Sequence, residues 1–84
     1  QELVRYFLEL RFEKSFKKIK SNALKNRVIK QIDKILDEPL IGKPMRSNRK
    51  GTREVYIKPF RLSYRFDENS KILTFLEIYH KDEQ

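Results

Sequence analysis

Four residues in the second half of the chain could act on a phosphodiester. Lys58, Arg61 and Arg65 are closely spaced cations, and His80 is the only histidine. Cleavage of RNA by its own 2′-hydroxyl needs a base near that hydroxyl, cations around the crowded phosphorane and an acid for the departing 5′-oxygen. The three cations could stabilise the phosphorane. His80 is a candidate acid or base, since imidazoles titrate near neutral pH; a purely structural or exposed histidine is the alternative.

Other chemistries have less support in the sequence. A single His, no Cys and no clustered carboxylates argue against a transition-metal or two-metal site. The two glycines, Gly42 and Gly51, are not part of a phosphate-binding loop, and no nucleophile-elbow motif accompanies the serines. We therefore expect neither a metal nor another cofactor.

The positive charge is concentrated in the middle of the chain. Twenty Lys and Arg against 12 Asp and Glu give a net charge of +8. Residues 39–65 contribute eight basic side chains and one acidic side chain, a balance of +7. Such a field favours RNA, DNA or an acidic protein as partner, although many basic proteins are simply soluble.

Length and composition limit the class of protein. A chain of 84 residues is expected to form a single domain covering residues 1–84. The absence of cysteine gives no support for a secreted, disulfide-bonded protein. No apolar run approaches the roughly 20 residues of a membrane span. We expect a soluble, cytoplasmic protein.

The first half of the sequence predicts a strand and two helices. Residues 4–12 mix apolar and charged residues in near-alternation, which predicts a strand. From Glu13 the apolar spacing becomes helical, and Ser21 with Asn22 can end this short helix and cap the next. The second helix ends before Pro39. Its predicted apolar stripe consists of Leu24, Val28, Ile29, Ile32, Ile35 and Leu36.

The second half predicts a long basic loop over residues 39–52 and then three antiparallel strands in a meander. The strands are REVYIK, RLSYRF and KILTFLEIY, separated by turns at Pro59-Phe60 and at DENS. The whole is an α+β fold in which a helical hairpin packs on one face of the sheet. Alternation directs one set of side chains toward the helices: Val55, Ile57, Leu62, Tyr64, Phe66, Ile72, Leu76 and Ile78.

The opposite face is predicted to be basic and aromatic. It carries Glu54, Tyr56 and Lys58, then Arg61, Ser63 and Arg65, then Leu73, Phe75, Glu77, Tyr79 and Lys81. Aromatic rings can stack on unpaired bases while Arg and Lys meet phosphates, a combination suited to single-stranded RNA. A face made polar only for solubility is the alternative. The candidate RNA-binding residues are Arg49, Lys50, Arg53, Tyr56, Arg65 and Tyr79.

Residues 16–81 resemble the RelE/ParE toxin superfamily of type II toxin–antitoxin systems. The resemblance rests on the segments GKPMRSNRKGTRE and YIKPFRLSYRF, followed at strand distance by an apolar run ending in IYHKD. It implies a ribosome-dependent endoribonuclease that cuts mRNA and is held inactive by an acidic, partly disordered, RelB-like antitoxin. It also implies that Lys58 and Arg61 are the catalytic cations and that Lys81 is the basic residue that follows the last strand.

The resemblance leaves the acid–base residue and the target open. Tyr56 stands where a second lysine occurs in RelE, and the tyrosine that the family often has beyond the last strand is absent before Gln84. The candidates for acid–base catalysis are therefore His80, Tyr56 or a residue outside positions 1–84. The GTRE and HKD segments also look like the ParE branch, which poisons DNA gyrase without cutting RNA. A non-catalytic RNA-binding module is a third possibility.

Overall fold

The computed structural model describes residues 4–83, and these form an α+β structure. Two short 3-10 turns, Ser47–Arg49 and Lys81–Glu83, accompany the main elements. In chain order these elements are β1 Arg5–Leu8, α1 Leu10–Lys18, α2 Asn22–Asp37, β2 Lys43–Pro44, β3 Arg53–Ile57, β4 Phe60–Asp67 and β5 Ile72–His80.

The strands form one mixed sheet in the order β1-β5-β4-β3-β2. The predicted antiparallel meander is confirmed as β3, β4 and β5. The sheet is larger than predicted, because β1 pairs in parallel with β5 and the two-residue β2 pairs with β3. The parallel pairing follows from the two helices, which carry the chain from one end of the sheet back to the other.

The N-terminal strand is shorter than the predicted range of 4–12. Glu9 donates its backbone N–H to the carbonyl of Phe75 at 2.9 Å, and α1 begins at the next residue. Phe12 is buried in the core and Phe16, one helical turn later, packs partly against it. The boundary was wrong because Phe12 satisfies both the alternation of a strand and the spacing of a helix.

The second helix follows the prediction closely. Ser21 caps it by accepting the backbone N–H of Leu24 at 3.1 Å, and the helix ends two residues before Pro39. Val28 and Ile35 are completely buried. Ile29 is 46% exposed, so the apolar stripe is narrower than predicted.

Side chains from the sheet fix the chain after α2. The hydroxyl of the buried Tyr64 donates to the carbonyl of Pro39 at 2.7 Å and accepts the N–H of Gly42 at 2.8 Å. Arg53 donates to the carbonyls of Leu40 and Gly42. This part of the predicted loop therefore has a defined path along the sheet.

A bulge in β5 changes which of its side chains face the helices. The register pairs Ser63 with Glu77 and Tyr64 with Phe75, so Leu76 is skipped. Before the bulge the completely buried residues are Leu73 and Phe75, and after it Ile78 is buried. The predicted inward positions of Ile72 and Leu76 and the predicted open-face positions of Leu73 and Phe75 were wrong, because an extra residue shifts the alternation by one.

The core lies between the helices and one side of the sheet, which we call the helix face. Phe12, Val28 and Ile35 from the helices join strand residues such as Leu62 and Phe75 in one buried cluster. The other side, which we call the open face, carries Glu54, Tyr56, Arg61, Ser63, Arg65 and Tyr79.

Candidate functional site

A buried carboxylate organises the centre of the open face. The side chain of Glu54 is only 2% exposed. Its Oε2 accepts a hydrogen bond from Arg49 Nη1 at 2.8 Å, and both of its oxygens lie within 2.9 Å of the Tyr79 hydroxyl. Arg61 Nη1 lies 3.7 Å from Oε1. One carboxylate thus faces two guanidinium groups and a phenol.

Four elements bring these side chains together. Glu54 is in β3, Arg61 in β4 and Tyr79 in β5, and the register places Arg61 opposite Tyr79. Arg49 comes from the 3-10 turn before β3, where the hydroxyl of Thr52 donates to its carbonyl at 2.7 Å. The predicted loop is therefore folded back onto the open face at Arg49.

The pKa values of two members of this network, Tyr79 and Arg49, are raised. Burial raises the pKa of the Tyr79 phenol, and the adjacent Glu54 carboxylate raises it further, against the opposing effect of Arg49. Burial alone would lower the pKa of Arg49, but Tyr79 and the hydrogen-bonded Glu54 carboxylate leave that pKa above its ordinary value. Tyr79 therefore keeps its proton and Arg49 its charge.

An aromatic ring and two cations meet beside this network. Tyr56 is 49% exposed to solvent. Arg61 Cζ lies 5.7 Å from the centre of its ring and Lys81 Nζ lies 5.8 Å from it. These distances are within the range of cation–π attraction. We call Tyr56, Arg61 and Lys81 the ring-and-cation cluster.

The β3–β4 turn lies next to this cluster. Lys81 is held there by its backbone N–H, which donates to the carbonyl of Pro59 at 3.2 Å. Lys58 is exposed in the turn itself, outside β3 and β4, so the predicted turn at Pro59-Phe60 is one residue earlier. The carbonyl of Lys58 accepts a hydrogen bond from Arg27 of α2 at 3.0 Å.

His80 lies on the helix face, away from the ring-and-cation cluster. It pairs with Phe60 across the sheet, and the two rings meet edge to face at 5.5 Å. Its Nδ1 accepts the backbone N–H of Asp82 at 3.2 Å. It lines a cleft of about 470 Å³ together with residues of the α1–α2 connection.

The remaining predicted contacts are distributed around the sheet. Arg53 faces the helices and binds backbone carbonyls, so it is separate from the open-face network. Lys50 is exposed at the end of the 3-10 turn, and Arg65 is exposed on β4 beyond the bulge. Of the predicted site residues, Arg49, Tyr56, Arg61, Tyr79 and Lys81 come together.

Glu54 was not among the predicted site residues. The signal was present, because Glu54 is the only acidic residue between positions 39 and 65. Alternation placed Glu54 on the open face with Tyr56, and the eight basic residues between positions 39 and 65 made it a candidate for an ion pair. The sequence could not indicate that this carboxylate would be buried.

Residues 4–83 contain neither a candidate metal-binding cluster nor a candidate membrane-spanning helix. No cluster of three His, Asp or Glu side chains suited to a metal ion occurs among them. Within the same range, no helix is long and apolar enough to cross a membrane.

Residues 6–84 match the family model described as the ParE toxin of the type II toxin–antitoxin system parDE. This match extends over nearly the whole chain. No curated protein sequence matches the chain.

Several solved structures have a similar fold. One, from the RelBE2 toxin–antitoxin complex of Mycobacterium tuberculosis, has 22% identity and a TM-score of 0.81 over 95% of this chain and 100% of that one. YafQ of Escherichia coli has 19% identity and a TM-score of 0.78, covering 95% and 96%. The archaeal RelE–RelB complex of Pyrococcus horikoshii has 13% identity and a TM-score of 0.79, covering 99% and 100%.

Proposed function

This chain belongs to the ParE toxin family of type II toxin–antitoxin systems, and from the arrangement of its open face we propose that it is a toxin that cleaves mRNA. Its target is mRNA on the ribosome, and its working surface is the open face of the sheet. The reaction is attack by the 2′-hydroxyl on the adjacent phosphorus. The 2′-oxygen–phosphorus bond forms, the 5′-oxygen–phosphorus bond breaks, and the products are a 2′,3′-cyclic phosphate and a 5′-hydroxyl.

The ring-and-cation cluster carries this proposal. Stacking on an exposed aromatic ring binds an unpaired base with little regard to its identity, and adjacent cations bind the backbone phosphate. Tyr56 offers the ring, and Arg61 and Lys81 approach it at 5.7 and 5.8 Å. A single nucleotide could therefore contact all three side chains.

The cations have a catalytic use beyond binding. Negative charge grows on the phosphorane oxygens in the transition state, and fixed positive groups stabilise that charge more than the ground state. We assign this role to Arg61 and Lys81, with Lys58 contributing from the adjacent turn. The Tyr56 hydroxyl is the acid–base candidate that lies within the cluster, whereas His80 lies on the helix face.

The proposed partner is an acidic, RelB-like antitoxin. The solved structures of similar fold include the RelBE2 toxin–antitoxin complex of Mycobacterium tuberculosis and the RelE–RelB complex of Pyrococcus horikoshii. Residues 39–65 of this chain have a balance of +7, from eight basic residues and one acidic residue. A disordered acidic segment that folds on binding would be attracted to this region. Its binding over the open face would block access of RNA to Tyr56.

Replacement of Arg61 tests the proposal. Removing one preorganised charge-stabilising donor costs about two to three decades in rate, so Arg61→Ala should cleave a labelled message on programmed ribosomes about 10² to 10³ times more slowly. Lys30→Ala is the control, because Lys30 is an exposed cation on α2. Chelator should leave cleavage unchanged, and end-group analysis should find the cyclic phosphate. A 5′-phosphate product that requires magnesium would contradict the mechanism.

A gyrase poison is the second candidate, and two observations favour it. The family model that matches the chain is that of the ParE toxin, whose branch poisons gyrase without cutting RNA. Glu54 neutralises part of the positive charge at the centre of the open face, where a nuclease would hold phosphate. The same preparations should therefore be assayed for DNA supercoiling by gyrase. Blocked supercoiling with an intact message would assign the chain to the gyrase poisons. RNA binding without either effect would indicate a binding module.

A further inference from the structure

The two arginines that face Glu54 are held differently. Arg49 makes a charge-assisted hydrogen bond to the carboxylate at 2.8 Å and a second bond to the Tyr79 hydroxyl at 2.7 Å. Arg61 is 3.7 Å away, which is an ion pair but is too long for a hydrogen bond. The carboxylate therefore uses the donors of Arg49 and attracts Arg61 without using its donors.

Arg61 also retains unused hydrogen-bonding capacity. Its Nε is buried and has no hydrogen-bond partner among residues 4–83. Buried donors are normally paired, so an unpaired one calls for an explanation. The side chain as a whole is 33% exposed, and its guanidinium is also oriented by the Tyr56 ring. Arg61 is thus fixed in direction, while the exposed part of its guanidinium remains available to an arriving anion.

We propose that Glu54 is a positioning residue that holds Arg61 ready for a phosphate and keeps Arg49 from binding one. The carboxylate occupies, between the two guanidinium groups, the place that an RNA phosphate would otherwise take. It weakens indiscriminate binding of polyanions and confines phosphate contact to Arg61 and Lys81. This inference rests on the proposed function, since the phosphate it concerns is that of the message.

Removing the charge of Glu54 should separate binding from cleavage. In Glu54→Gln, Arg49 becomes available to a second phosphate, so RNA binds more tightly. Each additional phosphate contact on single-stranded nucleic acid steepens the dependence of log K on log salt by about 0.7. Arg61 loses its fixed direction, and misplacement of a catalytic group by about 1 Å can cost on the order of 10²-fold. We expect kcat to fall by one to two decades while KM decreases.

The control is another carboxylate of the sheet. Glu77 in β5 is 29% exposed and lies 3.8 Å from Arg11 of α1, so Glu77→Gln removes the same charge without touching Arg49 or Arg61. Binding of a labelled single-stranded RNA oligonucleotide is measured by fluorescence anisotropy over a salt series, beside single-turnover cleavage on ribosomes. Glu54→Asp, which restores a carboxylate, should recover most of the wild-type salt slope.

Two outcomes would overturn the inference. Equal salt slopes for Glu54→Gln and Glu77→Gln would mean that only net charge matters. Weaker RNA binding by Glu54→Gln, together with a lower unfolding temperature, would mean that Glu54 serves the fold alone.

A readout without RNA keeps the inference separate from the proposed function. The Nε–H of Arg61 is buried and should give one slowly exchanging ¹⁵N resonance in the wild-type protein. Its exchange should accelerate in Glu54→Gln and stay unchanged in Glu77→Gln. If the wild type neither binds nor cuts RNA, the proposed function fails, and this resonance still decides whether Glu54 positions Arg61. Unchanged exchange in both variants would overturn the positioning role.

Discussion

The two faces of the sheet each contain a buried tyrosine, but the two hydroxyls bind different kinds of partner. On the helix face, Tyr64 donates to the carbonyl of Pro39 and accepts the N–H of Gly42. On the open face, Tyr79 contacts the side chains of Glu54 and Arg49. The helix face therefore uses a polar group to fix the backbone. The open face uses the backbone of three strands to fix charged side chains.

This difference predicts where substitutions affect stability and where they affect binding. The partners of Tyr64 are backbone groups, which have no alternative once the hydroxyl is lost. The partners of Tyr79 also bind one another, because Arg49 and Glu54 are 2.8 Å apart. The helix face should therefore be the less tolerant of the two.

Glycine substitutions should give the largest contrast between the faces. A Cβ on Gly42 would lie 2.6 Å from the Tyr64 hydroxyl and 2.7 Å from its ring. Overpacking of this kind costs about 1 to 3 kcal/mol, and we expect Gly42→Ala to lie near the upper end because the ring is buried. Gly51 lies in the exposed turn before β3, where a Cβ would meet nothing within 4 Å.

Gly51→Ala is the matched control for this substitution. It should cost about 1 kcal/mol, because a φ of +96° strains any residue with a side chain. Urea denaturation of both variants measures the difference in the free energy of unfolding. Equal losses would mean that the Tyr64 contact with Gly42 adds nothing to stability.

Tyrosine-to-phenylalanine variants should give the second contrast. Tyr64→Phe leaves the buried N–H of Gly42 and carbonyl of Pro39 without their partner, which should cost about 2 kcal/mol. Tyr79→Phe leaves the ion pair of Arg49 and Glu54 intact and should cost about 1 kcal/mol. Thermal unfolding at neutral pH compares the two. A greater loss of stability in Tyr79→Phe would mean that the open face, and not the helix face, is the less tolerant of substitution.

Ionisation of the buried tyrosines at alkaline pH should change stability the least. Burial raises the pKa of Tyr64, and burial together with Glu54 raises that of Tyr79. A phenol whose pKa is raised in the folded protein stabilises the fold at pH values below its pKa in the unfolded chain, which is about 10. This stabilisation is lost as the pH rises through the pKa of the folded state. Absorbance at 295 nm should show two phenols ionising late. Tyr64→Phe and Tyr79→Phe should each remove one late step; an unchanged curve would contradict the raised pKa.

The elements that depend on a single regular pattern could be predicted from the sequence. Helix α2 has a cap at Ser21, an apolar stripe and a proline beyond its end, and all three signals agree. The meander follows from alternation interrupted by turns. The inward positions on β5 could not be predicted, because the bulge at Leu76 depends on pairing with β4 rather than on the residues of β5 alone.

The candidate site was predictable in composition but not in arrangement. Arg61 and Tyr56 were assigned to the open face by alternation, and the structure brings Lys81 to them through a backbone bond to Pro59. The role of Glu54 depends on burial by Arg49, which arrives from an irregular turn. Arg53 shows the limit of a charge-based prediction, since its guanidinium binds backbone carbonyls on the helix face.

The bulge at Leu76 shifts the alternation of β5 side chains between the two faces of the sheet by one residue. Upstream of it, odd-numbered residues face the helices; downstream, even-numbered residues do. If Leu76 were paired in a regular ladder instead of being skipped, every later residue of the strand would change face. Tyr79 would then turn toward the helices and His80 toward the open face, and Glu54 would lose its contact with the Tyr79 hydroxyl. The skipped residue therefore determines that Tyr79, and not His80, lies on the open face beside Glu54.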